Sequence, residues 1–332
     1  MIAVIKKDAT RQQIDNLVGW FTRQGLTVNE SEGQYCTVLG LIGDTTRIDV
    51  DLLQGLDIIE TVTRISDPFK QANRKFHPED SVVDIGGVKV GGNNFAVIAG
   101  PGSVESEEQF LEIASGLKAM GADILQGGTF KSRTSPYDFQ GLHEEGIKIL
   151  IKAKKELGMP VITEILSAEQ LPLMDEIDAL EVGARNMQNY ELLKALGKSG
   201  KPVILKRGQA ATMKELLMSA EYIMAEGNEN VILCERGIRT YETYTSNTFD
   251  ISAIPMLKEL THLPVIANPS HATGKASLVK SMSMAAVVAG ASALQIDVHT
   301  NPEQAKSNGA QSLTLPMFNE TIDAINKARS IL

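Results

Sequence analysis

The sequence predicts an α/β fold, a (β/α)8 TIM barrel preceded by a small ferredoxin-like α+β domain. Three observations lead to it. Short apolar runs recur from residue 95 to the C-terminal region, with helical segments between them. Most of these runs are apolar throughout, as strands covered on both faces must be. The first 66 residues follow a different order, β-α-β-β-α-β, which is the split βαβ arrangement.

In the first unit, residues 2–5 are an apolar run suited to a strand, and residues 8–25 carry Ile14, Leu17, Val18 and Phe21 at helical spacing. Residues 27–29 and 35–42 read as strands. Asp44, Thr45 and Thr46 offer N-caps for a second helix around 48–53, and residues 58–65 close the unit as a strand. Residues 66–78, with Pro68 and Pro78, read as a connector. The run VVDIGGVKV at 82–90 reads as a hairpin with a Gly-Gly turn. The expected boundaries are 1–66 for the small domain and 67–332 for the barrel with its N-terminal hairpin.

The eight barrel strands are expected at 95–99, 123–125, 161–164, 179–182, 203–206, 231–235, 265–267 and 293–298. Eight strands with intervening helices over about 240 residues is the usual barrel size. Ser167-Ala-Glu-Gln170 fits a capping box opening one of the helices. No Gly-x-Gly-x-x-Gly follows the first of these strands, which weakens a dinucleotide-binding open sheet.

Composition narrows the class of function. The chain has 332 residues, a net charge of -9, 43% hydrophobic residues and two cysteines. An acidic balance argues against general nucleic-acid binding. No apolar stretch reaches the roughly 20 residues of a membrane span. The cysteines, Cys36 and Cys234, form no disulfide framework, and packing accounts for both. Residues 282–284 read as helix core. A start without an apolar leader makes the cytoplasm the expected location.

In such a barrel, chemistry belongs at the C-terminal ends of the strands. There the sequence delivers Lys131, Arg133, Arg185, Lys206, Arg207, Arg236 and Arg239, each soon after an apolar run. So many cations on one rim of an acidic chain predict a site for anionic substrates, because Arg binds phosphate and carboxylate through paired hydrogen bonds. The stretch Lys131-Ser-Arg-Thr-Ser135 adds hydroxyls and backbone N–H groups suited to a phosphate. Any one of these cations alone fits a rim salt bridge equally well. His299 follows the last strand and is a weaker candidate for the site.

The motifs GPGSVE, GGTFKSRTSPYDFQG, GARNMQN, LKRG, ILCERGIRTYE, NPSH and DVH followed by NGAQSL span most of the chain. Together they resemble the 3-deoxy-arabino-heptulosonate-7-phosphate (DAHP) synthases, in the form that carries an N-terminal, ACT-like regulatory domain. The resemblance implies condensation of phosphoenolpyruvate with erythrose 4-phosphate, the entry to aromatic amino-acid biosynthesis. It implies catalytic roles for Lys131, His271 and Glu164. Arg185, Lys206 and Arg236 would bind phosphoenolpyruvate, with Gln126 where the family has an Arg. Arg133, Thr134 and Ser135 would bind the phosphorylated aldose. It also implies an aromatic amino-acid effector and a homo-oligomer, such as a tetramer.

The same resemblance implies a divalent metal held by Cys, His, Glu and Asp. Here Gly102 stands at the Cys position, His271 is kept, Asp297 stands for Glu, and Asn308 stands for Asp; Asn268 replaces a neighbouring Asp. The expectation is therefore no certain cofactor, with weakly held Mn²⁺ or Mg²⁺ at most, since a soft metal needs three or four good ligands. Two functions follow: a DAHP synthase-type condensation, metal-independent or altered in its sugar, or a non-catalytic regulatory or ligand-binding paralogue.

Overall fold

The structure, a computed structural model, describes residues 1–33, 36–64 and 67–332. Tyr35, Ile65 and Ser66, where two expected strand ends and the expected boundary fall, lie outside them. The chain divides into two units, Met1–Asp80 with Glu259–His262, and Ser81–Lys258 with Leu263–Leu332.

The first unit runs β1 (Ile2–Ile5), α1 (Arg11–Arg23), β2 (Thr27–Glu32), β3 (Thr37–Ile42), α2 (Val50–Gln54) and β4 (Ile59–Thr63). Its described strands form an antiparallel sheet in the order β2-β3-β1-β4. Thr10 opens α1 with a full capping box through Gln13. The apolar stripe Ile14, Leu17 and Phe21 of α1 then packs on Ala3, Ile5, Leu39 and Leu41 of the sheet. The cap of α2 differs from the expectation. Asp49 caps it, accepting from the N–H groups of Asp51 and Leu52, whereas Asp44 caps a separate 3₁₀ turn, Thr45–Arg47. Ile48 is extended between the two, so one continuous helix cannot form.

The second unit opens with the hairpin β5 (Val82–Ile85) and β6 (Val88–Gly91). The barrel follows as β7 (Ala96–Gly100), α3 (Glu107–Ala119), β8 (Ile124–Gln126), α4 (Glu144–Leu157), β9 (Val161–Glu164), β10 (Ala179–Val182), α5 (Tyr190–Ser199), β11 (Val203–Lys206) and α6 (Met213–Met224). It is completed by β12 (Val231–Glu235), α7 (Ala253–Leu260), β13 (Val265–Ala267), α8 (Pro269–Thr273), α9 (Ala276–Val288), β14 (Ala293–Asp297) and α10 (Leu315–Arg329). β7 to β14 pair in parallel and close into one barrel.

One crossover departs from the expected helices. Between β9 and β10 the chain forms a 3₁₀ helix, Ala168–Met174, with the Ser167 capping box intact. Pro172 lies inside it and lacks the N–H that an α-helical ladder needs. The expected core at 282–284 is also corrected: Ser283 is buried, whereas Met284 is exposed. Among the described residues no helix is long and apolar enough to cross a membrane.

Strand alternation positions the site. Inside the barrel, Ile98, Ile124, Ile162, Ala179, Ile204, Ile232, Ile266 and Ala293 form one apolar cluster, against which Val83, Ile85 and Val90 of the hairpin pack. Side chains two residues further along each strand point the same way. That next layer consists of Gly100, Gln126, Glu164, Glu181, Lys206, Cys234, Asn268 and Gln295. The barrel therefore changes from apolar to polar within one residue pair, at its C-terminal end.

Candidate active site

A cavity of about 270 Å³ opens above this polar layer. Lys131, Arg133, Thr134, Glu164, Arg185, Lys206, Arg236 and His271 line it, which brings together most of the expected site residues. A smaller recess beneath is lined by Gly102, Gln126 and Asp297 as well. Ser135 does not line the cavity. Its hydroxyl accepts from the Tyr137 N–H at 3.2 Å and so shapes its own loop.

Two of the expected rim cations are spent elsewhere. Arg207 is buried and its Nη1 sits 2.8 Å from both Glu235 and Asp250. Burial works against its charge, yet these carboxylates win and hold its pKa above the ordinary value. Arg239 donates to the Gln209 side chain at 2.9 Å. The remaining cations divide into paired and unpaired. Lys206 donates to Glu181 at 2.7 Å, and Lys131 and Arg133 lie 3.4 Å from Glu164 and Asp138. Arg185 donates to the Thr134 hydroxyl at 3.1 Å. Arg236 is buried, and among the described residues its partners are the main-chain carbonyls of Gly237 and His271. Burial, and then Arg185, pull its pKa below the usual guanidinium value, but an arginine stays charged. A buried guanidinium facing a cavity beside a second cation is a ready anion site.

The floor is a continuous hydrogen-bonded chain. Glu181 accepts from Lys206 and from Gln295 Nε2. Gln295 Nε2 also donates to Gln126 Oε1 at 2.7 Å, and Gln126 Nε2 donates to Asp297 Oδ1 at 2.9 Å. The other oxygen of Asp297 accepts from Asn308 at 3.0 Å and from Gln311 at 2.6 Å. Asn268 caps α8, its Oδ1 accepting from the His271 N–H at 2.8 Å while its Nδ2 donates to Gln295 at 3.1 Å. A carboxylate at 268 would fill only the first of these roles. Burial raises the Glu181 carboxyl, but Lys206 and the Gln295 hydrogen bond outweigh it and hold it below the ordinary carboxylate range.

His271 is neutral, its pKa held well below the ordinary value by burial and then by Lys206, Arg236 and Lys131. Asn308 Nδ2 stands 3.4 Å from His271 Nε2 while donating to Asp297. The amide thus contacts both side chains that the resemblance nominates as metal ligands, which also approach each other at 3.7 Å through His271 Nδ1 and Asp297 Oδ2. Gly102 makes this possible, because a Cβ there would fall 2.6 Å from Asn308 Nδ2. Among the described residues, no three His, Cys, Asp or Glu side chains converge as a metal-binding group.

Sequence reasoning missed Glu181, Gln295 and Gln311. The first two were detectable from strand parity, since both share a face with an expected interior residue. Cys234 is buried and its thiol is pushed up to about 12 by that burial, so packing explains it. Cys36 is only half-buried, against the sheet face that carries Ile2 and Val38. His299 is buried off the cavity, with Nδ1 accepting from the Asn301 N–H at 2.9 Å and Nε2 lying 3.5 Å from Glu105.

Fold and site together define a (β/α)8-barrel protein with a cationic mouth, preceded by a ferredoxin-like unit. The DAHP synthetase I family model matches residues 69–332, and the DAHP synthase ferredoxin-like domain matches residues 1–67. The chain belongs to the DAHP synthase family. It is 45% identical to phospho-2-dehydro-3-deoxyheptonate aldolase of Thermotoga maritima, over 100% of this chain and 98% of that protein. It is 30% identical to 2-dehydro-3-deoxyphosphooctonate aldolase of Syntrophobacter fumaroxidans, over 72% and 88%. The crystal structure of the Thermotoga maritima DAHP synthase superposes with a TM-score of 0.79 at 44% identity, covering 99% of this chain and 97% of that one.

Proposed function

We propose that this protein condenses phosphoenolpyruvate with a phosphorylated aldose, erythrose 4-phosphate first among them, without a bound metal. The observation that carries the reading is Arg236, a buried cation without a carboxylate partner among the described residues, facing the cavity with Arg185. These two would hold the donor phosphate. Arg133 and Thr134, which line the same cavity, would hold the phosphate of the aldose.

The residues at the metal position do not suit a divalent cation. Both oxygens of Asp297 already accept from amides, Asn308 presents an N–H₂ group rather than a lone pair, and residue 102 has neither a ligand nor room for one. In the condensation, the enol carbon attacks the aldehyde carbon, water adds to the former enol-ether carbon, and phosphate leaves. Lys131, held toward the cavity by Glu164, would donate to the aldehyde oxygen as charge develops on it. His271 lines the same cavity and would move a proton there; its Nδ1 is buried without a hydrogen-bond partner, 3.7 Å from Asp297 Oδ2.

We assign the N-terminal unit, 1–66, a regulatory role toward an aromatic amino acid, with 67–332 as the catalytic part of a cytoplasmic homo-oligomer. The match of residues 1–67 to the DAHP synthase ferredoxin-like domain supports a separate N-terminal unit to carry that role. The test of the main reading is phosphoenolpyruvate consumption with erythrose 4-phosphate, run in chelator and again with Mn²⁺. Turnover in chelator is expected, and turnover only with Mn²⁺ overturns the metal-free reading. A second reading, a ligand-binding paralogue without turnover, is favoured by one observation: Lys206 is already neutralised by Glu181. Retained phosphoenolpyruvate binding with no turnover on any four- or five-carbon phosphosugar selects it.

A further inference from the structure

The small recess lined by Gly102, Gln126 and Asp297 has a volume of about 20 Å³. A single water-sized oxygen needs about 10–15 Å³, so the recess takes one. Two glycines make this space. A Cβ at Gly128 would fall 3.0 Å from Lys131 Nζ and 2.6 Å from the Gly102 carbonyl oxygen, and a Cβ at Gly102 would fall 2.6 Å from Asn308 Nδ2. The Lys131 ammonium and the Asn308 amide therefore border the same small space, and both residues line it.

Asn308 is held there against its backbone preference. It lies in the left-handed region at φ 58, where among the described residues His143 is the other non-glycine. Such strain persists only where the surroundings fix it, and it gathers at sites that act on a ligand. Here the Asn308 carbonyl accepts from the N–H groups of Gln311 and Ser312 at 3.2 and 3.1 Å and from the Ser312 hydroxyl at 2.8 Å. One amide N–H donates to Asp297 Oδ2 at 3.0 Å. The other faces His271 Nε2 at 3.4 Å, a long contact that a closer acceptor in the recess displaces. The carboxylates that line the recess are engaged: Glu164 by Lys131, Glu181 by Lys206, and Asp297 by Gln126, Asn308 and Gln311.

We propose that this recess is an oxyanion hole for the aldehyde of the acceptor, with Asn308 a catalytic residue that donates to the same oxygen as Lys131. This rests on the reading of the cavity as the site of the condensation. As the enol carbon bonds to the aldehyde carbon, the π electrons of the C=O collect on its oxygen. That oxygen takes a proton from Lys131 and ends as a hydroxyl. The water that adds to the other reacting carbon releases a proton, which restores the ammonium. Asn308 gives up no proton; it supplies a fixed dipole that is aimed before the charge develops.

The experiment is turnover of phosphoenolpyruvate with erythrose 4-phosphate by the full chain in chelator, beside calorimetric titration with phosphoenolpyruvate alone. Asn308→Gly removes the donor and suits the left-handed backbone. Asn308→Asp keeps the shape and puts an acceptor in place of the donor. Both are expected to lose about 100-fold or more in kcat. Both should keep the phosphoenolpyruvate Kd within about threefold of the wild type. A variant that retains more than about a third of kcat overturns the proposal. So does a loss of phosphoenolpyruvate affinity in step with kcat, which is what a merely structural role would give. No turnover by the wild type in chelator removes the functional reading and the proposal together, whereas undiminished kcat in the variants removes the proposal alone. A second measurement needs no variant: a crystal structure of the wild-type chain with erythronate 4-phosphate, which carries a carboxylate in place of the aldehyde. One oxygen of that carboxylate is expected within about 3.2 Å of both Asn308 Nδ2 and Lys131 Nζ. A carboxylate seated elsewhere in the cavity overturns the assignment.

Discussion

Placing a cysteine at Gly102 tests whether this glycine and Asn308 form one coupled device. A Cβ at 102 would lie 2.6 Å from Asn308 Nδ2 and 2.9 Å from both Asn308 Cβ and Cγ. Asn308 Cβ is tied to a backbone at φ 58, so it cannot rotate out of the way. Overpacking of this kind costs about 1–3 kcal/mol. For a unit of this size that lowers Tm by about 2–12 °C. Asn308→Gly removes a charge-assisted hydrogen bond to Asp297, about 1.5–3 kcal/mol, and regains part of it because glycine adopts a positive φ without strain. In Gly102→Cys with Asn308→Gly the obstructing side chain is gone, so the two costs do not sum. The coupling is expected to be about 1 kcal/mol or more in the stabilising direction. Urea and thermal unfolding of the four proteins, all in chelator so that a new thiol recruits no metal, measures it. Additivity within about 0.5 kcal/mol would refute the coupling.

Three further outcomes follow from the buried charges. Arg207→Ala leaves Glu235 and Asp250 without their shared cation and is expected to destabilise by about 3–5 kcal/mol in chemical unfolding; a loss under about 1 kcal/mol contradicts it. His262, which shares a 2.8 Å hydrogen bond with the Gln71 carbonyl, has its pKa lowered to about 4 by burial. Its unfolded form takes up a proton near pH 6.5 and its folded form does not, so its contribution is full above that pH. It is lost between pH 6.5 and 4, on the order of 3 kcal/mol, and a His262→Asn variant should show a shallower pH slope over that window than the parent. The Cys234 thiol, pushed up to about 12, should stay unmodified by a thiol-disulfide reagent at pH 8 until the protein unfolds, whereas the half-buried Cys36 reacts first. Equal rates for the two would contradict the assignment.

The barrel was legible because its strands are written as continuous apolar runs, and β9, β10, β11, β12 and β13 start and stop where periodicity places them. The rim cations were legible for the same reason, since each follows such a run within a few residues. What could not be read was how the charges pair. Arg207 and Lys206 are adjacent in sequence, and the strand pleat sends them to opposite sides, Arg207 to Glu235 and Asp250, Lys206 to Glu181. Glu181 lies in a run that reads as apolar, ALEV, and only a partner 25 residues away explains a carboxylate there. Pro172 turned one expected helix into a 3₁₀ segment, a choice that a capping box cannot decide because both helix types open in the same way.

The floor residues make sense only as a set. Gln295 donates to Glu181 and to Gln126 and accepts from Asn268. Gln126 in turn supplies one donor to Asp297, and Asn308 and Gln311 supply the rest. An arginine at 126 would bring a third cation beside Lys206 and Lys131. An aspartate at 268 would face the Gln295 oxygen without a proton to offer it. Each amide is thus the residue that satisfies its neighbours at no cost in net charge, and a half-satisfied network is worse than none. The floor consequently carries its two carboxylates, Glu181 and Asp297, already compensated. That leaves Arg185, which donates to a hydroxyl, and Arg236, which donates to main-chain carbonyls, as the cavity cations without a carboxylate partner among the described residues, so the attraction for an anionic substrate centres on them.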